Sequence, residues 1–374
     1  MKPFTHINAL TVDQAVAALV KHDGKARLNA GGTDLFGLLK DEFLPEYPEA
    51  IVNIKTVAGL DTIREDAGVL RIGALAKLCD LANAPLLRER YGVLAEAAHA
   101  VASPQIRNVA TIGGNLCQDV RCCYYRYPRH IGGPIQCARK GSGPCLAVRG
   151  DNRYHALLEG RKCFAVCPSD IAVALTALDA QMLVAGPAGE RRIAVRDFYT
   201  PLGNRLGRDE MVREIEVPAV TGSARQVFSK FTLRRPIDFA IVSVAAVTTV
   251  TNGICTDARI ALGAVAPGAY RAAAAEEFLK GRAIDGDTAA RAGELAMQGA
   301  KPLSRNPYKI EIAKTLVARA ILGLLPDHKQ NDNLTDASVY DPTALSTFHR
   351  CGSTASSGLP AVADPETPIR PHLE

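Results

Sequence analysis

The sequence predicts an α+β protein of two or three domains, and three observations carry the prediction. The chain has 374 residues, 47% of them hydrophobic: enough apolar surface for sizeable cores, and more length than one core usually organises. Its first half intersperses alternating, strand-like runs with runs at helical spacing. From residue 225 onward three strand-like runs precede three helical ones, the order of an α+β domain.

Composition excludes several classes. A net charge of +5 with 5% aromatic residues and no lysine-rich tail argues against nucleic acid as a partner. Met1-Lys-Pro-Phe-Thr-His leads straight into an amphipathic pattern, so no secretory leader is expected. No apolar run approaches the roughly 18 residues that a membrane span needs. The expectation is a soluble, cytoplasmic chain with no membrane span. In that reducing compartment, clustered cysteines point to metal or redox chemistry rather than to disulfides.

Taken in order, residues 11–21 open with Thr11-Val-Asp-Gln14, a capping box, followed by Ala15, Val16, Leu19 and Val20 at helical spacing. Residues 26–40 read as strand, glycine turn and helix. The turn at Gly31-Gly32 gathers unpaired amides at one point, which suits a phosphate. It lacks the spacing of the dinucleotide fingerprint and the lysine of a P-loop. Strands are expected at 50–54 and 69–74, the second alternating like a half-buried sheet, and helices at 78–82 and 91–101. A second glycine turn lies within Thr111-Ile-Gly-Gly-Asn115. Two such turns support an extended diphosphate ligand better than either alone, because each can grip one part of it.

Further on, a helix is expected over 171–179, strands near 181–184 and 191–195, and a domain boundary at Pro218-Ala-Val-Thr-Gly222. Strand-like runs at 225–233, 240–250 and 258–265, with an Asn252-Gly253 hairpin signal, precede helices at 272–280, 288–300 and 308–325.

Between the second turn and residue 171 stand seven of the ten cysteines, Cys117, Cys122, Cys123, Cys137, Cys145, Cys163 and Cys167, within 51 residues. So dense a cluster needs a cause. Adjacent Cys122 and Cys123 cannot easily serve one centre, since consecutive side chains diverge in extended backbone. Cys117 and Cys167 read as small buried hydrophobes beside the glycine turn and the helix. Cys163 and Cys167 have the x3 spacing that keeps a structural zinc site open.

The pair Leu28-Asn-Ala-Gly-Gly-Thr-Asp-Leu35 and Ala110-Thr-Ile-Gly-Gly-Asn-Leu116, with Pro168-Ser-Asp170, Phe228-Ser-Lys230 and Arg234-Arg-Pro-Ile-Asp-Phe-Ala-Ile241, resembles the FAD-binding medium (beta) subunit of molybdenum hydroxylases, the xanthine dehydrogenase family. The resemblance covers residues 1 to about 325. It implies a two-part flavin-binding domain of the PCMH/vanillyl-alcohol-oxidase type over 1–218, then an α+β C-terminal domain, a three-stranded sheet plus helices, over 222–326.

The resemblance also implies an FAD site. Leu28, Asn29, Ala30, Gly31, Gly32, Thr33, Asp34 and Leu35 would wrap the pyrophosphate. Thr111, Ile112, Gly113, Gly114 and Asn115 would hold its other side, with Ser103 and Gln118 as further polar contacts. Asp170 would accept from ribose or amide groups, and Lys230 would reach the flavin end. Without a ligand, Asp170 would cap its helix and Lys230 would be a solvated strand residue.

The stretch 117–167 resembles the insertion of 4-hydroxybenzoyl-CoA reductase, and secondly of bacterial aldehyde oxidoreductases, which carries a [4Fe-4S] cluster. Matching positions are Cys122, Cys137, Cys145 and Cys163, with Cys123 as the substitute for Cys122. Four thiolates on a cluster would order a loop that has little apolar surface of its own. The implied role is electron transfer within a dimer of heterotrimers, with no catalytic acid or base in this chain. A large subunit would carry molybdopterin, a small one two [2Fe-2S] clusters, and an external, ferredoxin-like carrier would exchange the electrons. Nine Lys or Arg against three acidic residues between Cys117 and Cys167 would favour an anionic cluster or an acidic carrier, or simply solvate the loop. A rival reading is a nucleotide-binding scaffold with a zinc-stapled loop. The last 48 residues, 327–374, hold five prolines and read as an extended tail, with Val339, Tyr340, Leu345 and Phe348 as anchors on a partner.

Overall fold

In the computed structural model, which describes residues 1–234 and 237–323, a small parallel sheet comes first. Strand β1 (Thr5–Asn8), helix α1 (Val12–Lys21), β2 (Ala26–Asn29), α2 (Leu35–Asp41) and β3 (Ala50–Asn53) build it, in the order β1-β3-β2. The predicted capping box closes at the start of α1. Thr11 Oγ1 accepts from the Gln14 amide at 3.1 Å, and Gln14 Oε1 accepts from the Leu10 amide at 2.8 Å.

The chain then leaves for a larger sheet through β4 (Ile63–Asp66) and β5 (Val69–Gly73), followed by a run of short helices. These are α3 (Leu78–Asn83), α4 (Pro85–Arg90), α5 (Gly92–His99), α6 (Pro104–Arg107) and α7 (Ile112–Cys117). After the cysteine-bearing loop come α8 (Asp170–Ala177), β6 (Gln181–Gly186), β7 (Gly189–Ala194), α9 (Val195–Phe198), the two-residue strands β8 (Tyr199–Thr200) and β9 (Gly203–Asn204), and β10 (Met211–Pro218). The resulting antiparallel sheet has the order β4-β5-β10-β6-β7. Its central strand, β10, is absent from the sequence expectation. A bulge between Val212 and Glu214 breaks its alternation, and Glu214 and Glu216, paired with Arg64, Arg71 and Arg192, give it a polar look.

The last third is β11 (Ala224–Phe231), β12 (Val242–Thr251), β13 (Ile254–Gly263) and a short fourth strand, β14 (Tyr270–Arg271), covered by α10 (Ala273–Leu279), α11 (Gly286–Ala296) and α12 (Tyr308–Leu322). The expected three-stranded sheet is thus a four-stranded one. Asn252 and Gly253 both take positive φ, 50° and 79°, as a two-residue hairpin turn of the primed type requires.

Helix α8 organises the middle. All eight of its residues are buried, as a helix apolar on every side requires. Ile171, Val173 and Leu175 share one core with Ile72, Met182 and Ile215 of the five-stranded sheet and with Ala245 and Ala261 of β12 and β13. A second core lies between the four-stranded sheet and its helices, and Leu157 and Leu158 of the cysteine-bearing loop dock into it. Both amides donate to the Val265 carbonyl, at 2.8 and 3.0 Å. The loop is therefore anchored to the C-terminal part of the fold. Among the described residues, no helix is long and apolar enough to cross a membrane. The expected tail and its four anchor residues lie outside the described residues.

Candidate functional site

The first glycine turn joins β2 to α2. Gly32 takes φ +71°, a conformation natural to glycine. A Cβ on Gly31 would stand 2.3 Å from the Val109 carbonyl oxygen, so this turn rests directly on the backbone leading into the second turn. Among the described residues, no hydrogen bond ends on the amides of Gly31, Gly32, Thr33 or Asp34, and the buried side-chain oxygen of Asn29 below them has no partner. Unsatisfied buried polar groups are rare without a ligand or water. Free amides and one orphaned acceptor fit the phosphates and hydroxyls of a dinucleotide.

Asp34 behaves differently from the rest of its turn. Its carboxylate accepts from Arg121 Nη1 at 2.5 Å, Arg126 Nη2 at 2.6 Å and the Asp119 amide at 2.8 Å. Burial alone would raise its pKa, but the two guanidinium groups and the amide bring it below the usual carboxylate range. Asp34 is thus the clasp between the first turn and the cysteine-bearing loop.

The second turn is internally satisfied. Thr111 Oγ1 caps α7 by accepting from the Gly114 amide at 3.2 Å, while the amides of Ile112 and Gly113 donate to Ala76 and Ala74, both at 2.9 Å. A Cβ on Gly113 would meet the Ala74 backbone oxygen at 2.9 Å, so this glycine is explained by packing. Asn115 reaches onward, its side-chain oxygen accepting from Ser169 Oγ at 2.6 Å. Gln118 bonds the Asn115 carbonyl at 2.8 Å and accepts from Arg121 at 3.0 Å. Ser103 stands apart, its hydroxyl taken by the Ile106 amide at 3.4 Å.

Ser169 caps α8, accepting from the Ala172 amide at 3.0 Å, so Asp170 is not the cap. Asp170 instead pairs with Lys230 at 2.8 Å, both side chains buried, and Lys230 Nζ also donates to the Ala100 carbonyl at 2.9 Å. Asp170 and Ser169 edge a cavity of about 600 Å³, which reaches Cys122 and His155 on one side and Phe239 and Ile241 on the other. Contacts run from the first turn to the backbone before the second, from Asn115 to Ser169, and from Ser169 and Asp170 to this cavity, a connected track of residues.

Four thiols of the loop, Cys122, Cys137, Cys145 and Cys163, line a second, small void with Tyr124, Tyr125 and Arg139. All four are free. Cys123 is exposed and Cys167 lines the larger cavity. The hydrogen bond between Cys145 and Cys163, aided by backbone amides, draws the Cys145 thiol down to about 6 and pushes Cys163 up; burial pushes Cys122 up to about 11. The void measures about 10 Å³, and as the side chains stand no group of three or more His, Cys, Asp or Glu among the described residues is arranged to hold a metal ion. Four free cysteines around one void are the residue type iron–sulfur chemistry uses, but as placed they do not form a metal-holding group.

Sequence reasoning missed four participants. Arg121 and Arg126 were read only as loop charge. His155, whose Nε2 lies 3.3 Å from Cys122 Sγ, was not singled out; burial first, then the Lys309 charge, lowers its pKa to about 4. Asp119, which accepts from Tyr125 at 2.6 Å and Arg139 at 2.9 Å, carried a usable signal as one of three acids in a basic stretch.

The fold and the joined turns define a two-part dinucleotide-binding protein. Residues 2–220 match the family model described as the FAD binding domain in molybdopterin dehydrogenase, and residues 227–324 match the CO dehydrogenase flavoprotein C-terminal domain. The chain belongs to this family of FAD-binding subunits and is an oxidoreductase subunit of the molybdenum hydroxylase type. It is 35% identical to the FAD-binding subunit of an aldehyde oxidoreductase from Escherichia coli strain K12, over 86% of this chain and 98% of that one. Among solved structures it is similar to carbon monoxide dehydrogenase from Hydrogenophaga pseudoflava, with TM-score 0.70, 27% identity and coverage of 87% and 98%. It is also similar to quinoline 2-oxidoreductase from Pseudomonas putida 86, with TM-score 0.68, 27% identity and coverage of 86% and 97%.

Proposed function

We propose that this chain is the electron-transfer subunit of a heterotrimeric molybdenum hydroxylase, holding FAD on the connected track and a [4Fe-4S] cluster in the cysteine-bearing loop. The observation that carries the reading is the run of unpartnered amides from Gly31 to Asp34 above the orphaned Asn29 oxygen. Leu28 to Leu35 wrap the pyrophosphate. The segment Thr111 to Asn115 and Gln118 shape the opposite wall, mostly through their packing, since their amides are spent internally. Ser103 is a peripheral contact. Asp170 and Lys230 form a buried ion pair beside the flavin end and hold its polar atoms.

When bound, FAD supplies two-electron exchange and the cluster one-electron exchange. This chain's residues do the rest: they bind, orient and exclude water. Cys122, Cys137, Cys145 and Cys163 ligate the cluster, and Arg139 at its void offsets negative charge. A large molybdopterin subunit carries out the reaction on the organic substrate, a small subunit carries [2Fe-2S] clusters, and an external carrier takes or gives electrons, the whole assembling as a dimer of heterotrimers.

Similarity to an aldehyde oxidoreductase subunit over nearly its whole length moves aldehyde oxidation ahead of 4-hydroxybenzoyl-CoA reduction, which rests on the spacing of the insertion. The test is a cysteine series in anaerobically purified full-length protein. Alanine at Cys122, Cys137, Cys145 or Cys163 is expected to remove most iron and leave FAD bound, while Cys123→Ala and Cys167→Ala keep both. Iron retained in the first four variants, or zinc in place of iron, contradicts the reading.

A further inference from the structure

Strand β12 places a serine where its pattern calls for an apolar residue. Side chains alternate along a strand, so Ser243, Ala245 and Val247 share one face. Ala245 and Val247 belong to the core around α8, together with Ile171 and Val173. Ser243 is 0% exposed, yet among the described residues its hydroxyl oxygen has no hydrogen-bond partner. A buried hydroxyl in that state costs stability, so folding alone gives no reason for it.

Its neighbours across the sheet do. The register sets Lys230 of β11 and Gly263 of β13 on either side of Ser243, a row of three. Lys230 is held by Asp170 at the start of α8, at 2.8 Å. At Gly263 a Cβ would stand 2.3 Å from Ser243 Oγ and 2.6 Å from Val173 Cγ2, so glycine leaves room for the hydroxyl where it stands. Ser243, Gly263, Ser169 and Asp170 all line the cavity of about 600 Å³, whose walls also include Phe239 and Ile241. Apolar walls with a few convergent polar groups suit a planar heterocycle that has a polar edge.

We propose that Ser243 is a binding residue for the flavin ring, its hydroxyl making with the ring's polar edge the hydrogen bond it lacks within the fold. The inference rests on the reading of FAD along the track. A hydroxyl can donate to a ring carbonyl or nitrogen, or accept from a ring N–H. Because it is unpartnered before the ring binds and partnered afterwards, removing it acts oppositely on the two states: the flavin-free chain loses a cost and the flavin-bound chain loses a bond.

The experiment uses the full-length chain, stripped of flavin and titrated with FAD by fluorescence, with urea unfolding of the flavin-free chain and the visible absorption bands of the bound flavin recorded alongside. Ser243→Ala is expected to leave the flavin-free chain as stable as wild type or more so, to weaken FAD binding about three- to tenfold, the size of one hydrogen bond, and to shift the flavin bands. Ser243→Cys nearly keeps the volume but offers only a weak S–H donor, and is expected to follow Ser243→Ala. Wild-type FAD affinity in Ser243→Ala overturns the proposal. So does a less stable flavin-free chain, which would give the hydroxyl a structural role, or weakened binding with unmoved bands, which would put the contact away from the ring. Full affinity in Ser243→Cys overturns it too, since volume would then explain the loss. Each of these leaves FAD binding itself standing, whereas a wild-type chain that binds no FAD overturns the proposed function and this inference with it.

Discussion

A methyl group on Gly31 would press into the Val109 carbonyl oxygen, and both are backbone, so neither can rotate away. Gly31→Ala is expected to destabilise the protein by about 1–3 kcal/mol and to weaken FAD binding by about tenfold or more, the equivalent of roughly 1.4 kcal/mol. Denaturant unfolding and flavin fluorescence titration check the two effects separately. Lys230 offers a different test. Its ion-pair partner is the buried carboxylate of Asp170, and removing one member of such a pair strands the other. Lys230→Met is expected to lower stability by about 3–5 kcal/mol, and adding Asp170→Asn to recover much of it, as read by denaturation of the flavin-free protein. Full stability in Lys230→Met would show that the pair is not the buried unit it looks to be. At this scale the sequence was informative where a residue type has one strong use. The Gly31-Gly32 turn was legible as a run of unpartnered amides, whereas Gly113 in the second pair answers to packing against Ala74. Asp34 was legible as part of its turn but not as a clasp, because its partners Arg121 and Arg126 stand 87 and 92 residues away.

Elements whose signals are local were read correctly: the capping box of α1, the Asn252-Gly253 turn between β12 and β13, and the helix after Pro168-Ser169. Strand β10 was missed because its bulge and its two ion-paired glutamates hide its period, and α4 because Pro85 starts a helix only six residues long, with little room for periodicity. The Asp34 clasp ties the loop between α7 and α8 to the first turn. Asp34 has a lowered pKa in the folded state, so its stabilising contribution is fully present above the ordinary carboxylate value of 3.8 and is lost as pH falls through the lower folded value. Asp34→Asn is expected to flatten that acid limb of the stability curve. Urea midpoints from about pH 5 downward, compared between the two proteins, decide it: parallel curves would mean the clasp contributes nothing.

Across the whole molecule, a cavity edged by the start of α8 and a small cysteine-lined void share one lining residue, Cys122, among the described residues. The buried helix α8 supplies the geometry, since its N-terminus meets the second turn through Ser169 and Asn115 while its sides tie the five-stranded sheet to β12 and β13. Fold class was readable from the sequence because strand-like and helical periods alternate along it. The anchoring of the loop to the C-terminal part of the fold was not, because it depends on contacts such as those of the His155 carbonyl with Asn306 and Lys309, more than 150 residues apart. The most direct test is to count FAD and iron on the same anaerobically prepared, full-length sample. The account predicts FAD in equal amount to the chain together with about four irons per chain; a folded protein that binds no FAD, or binds it with no iron, contradicts it.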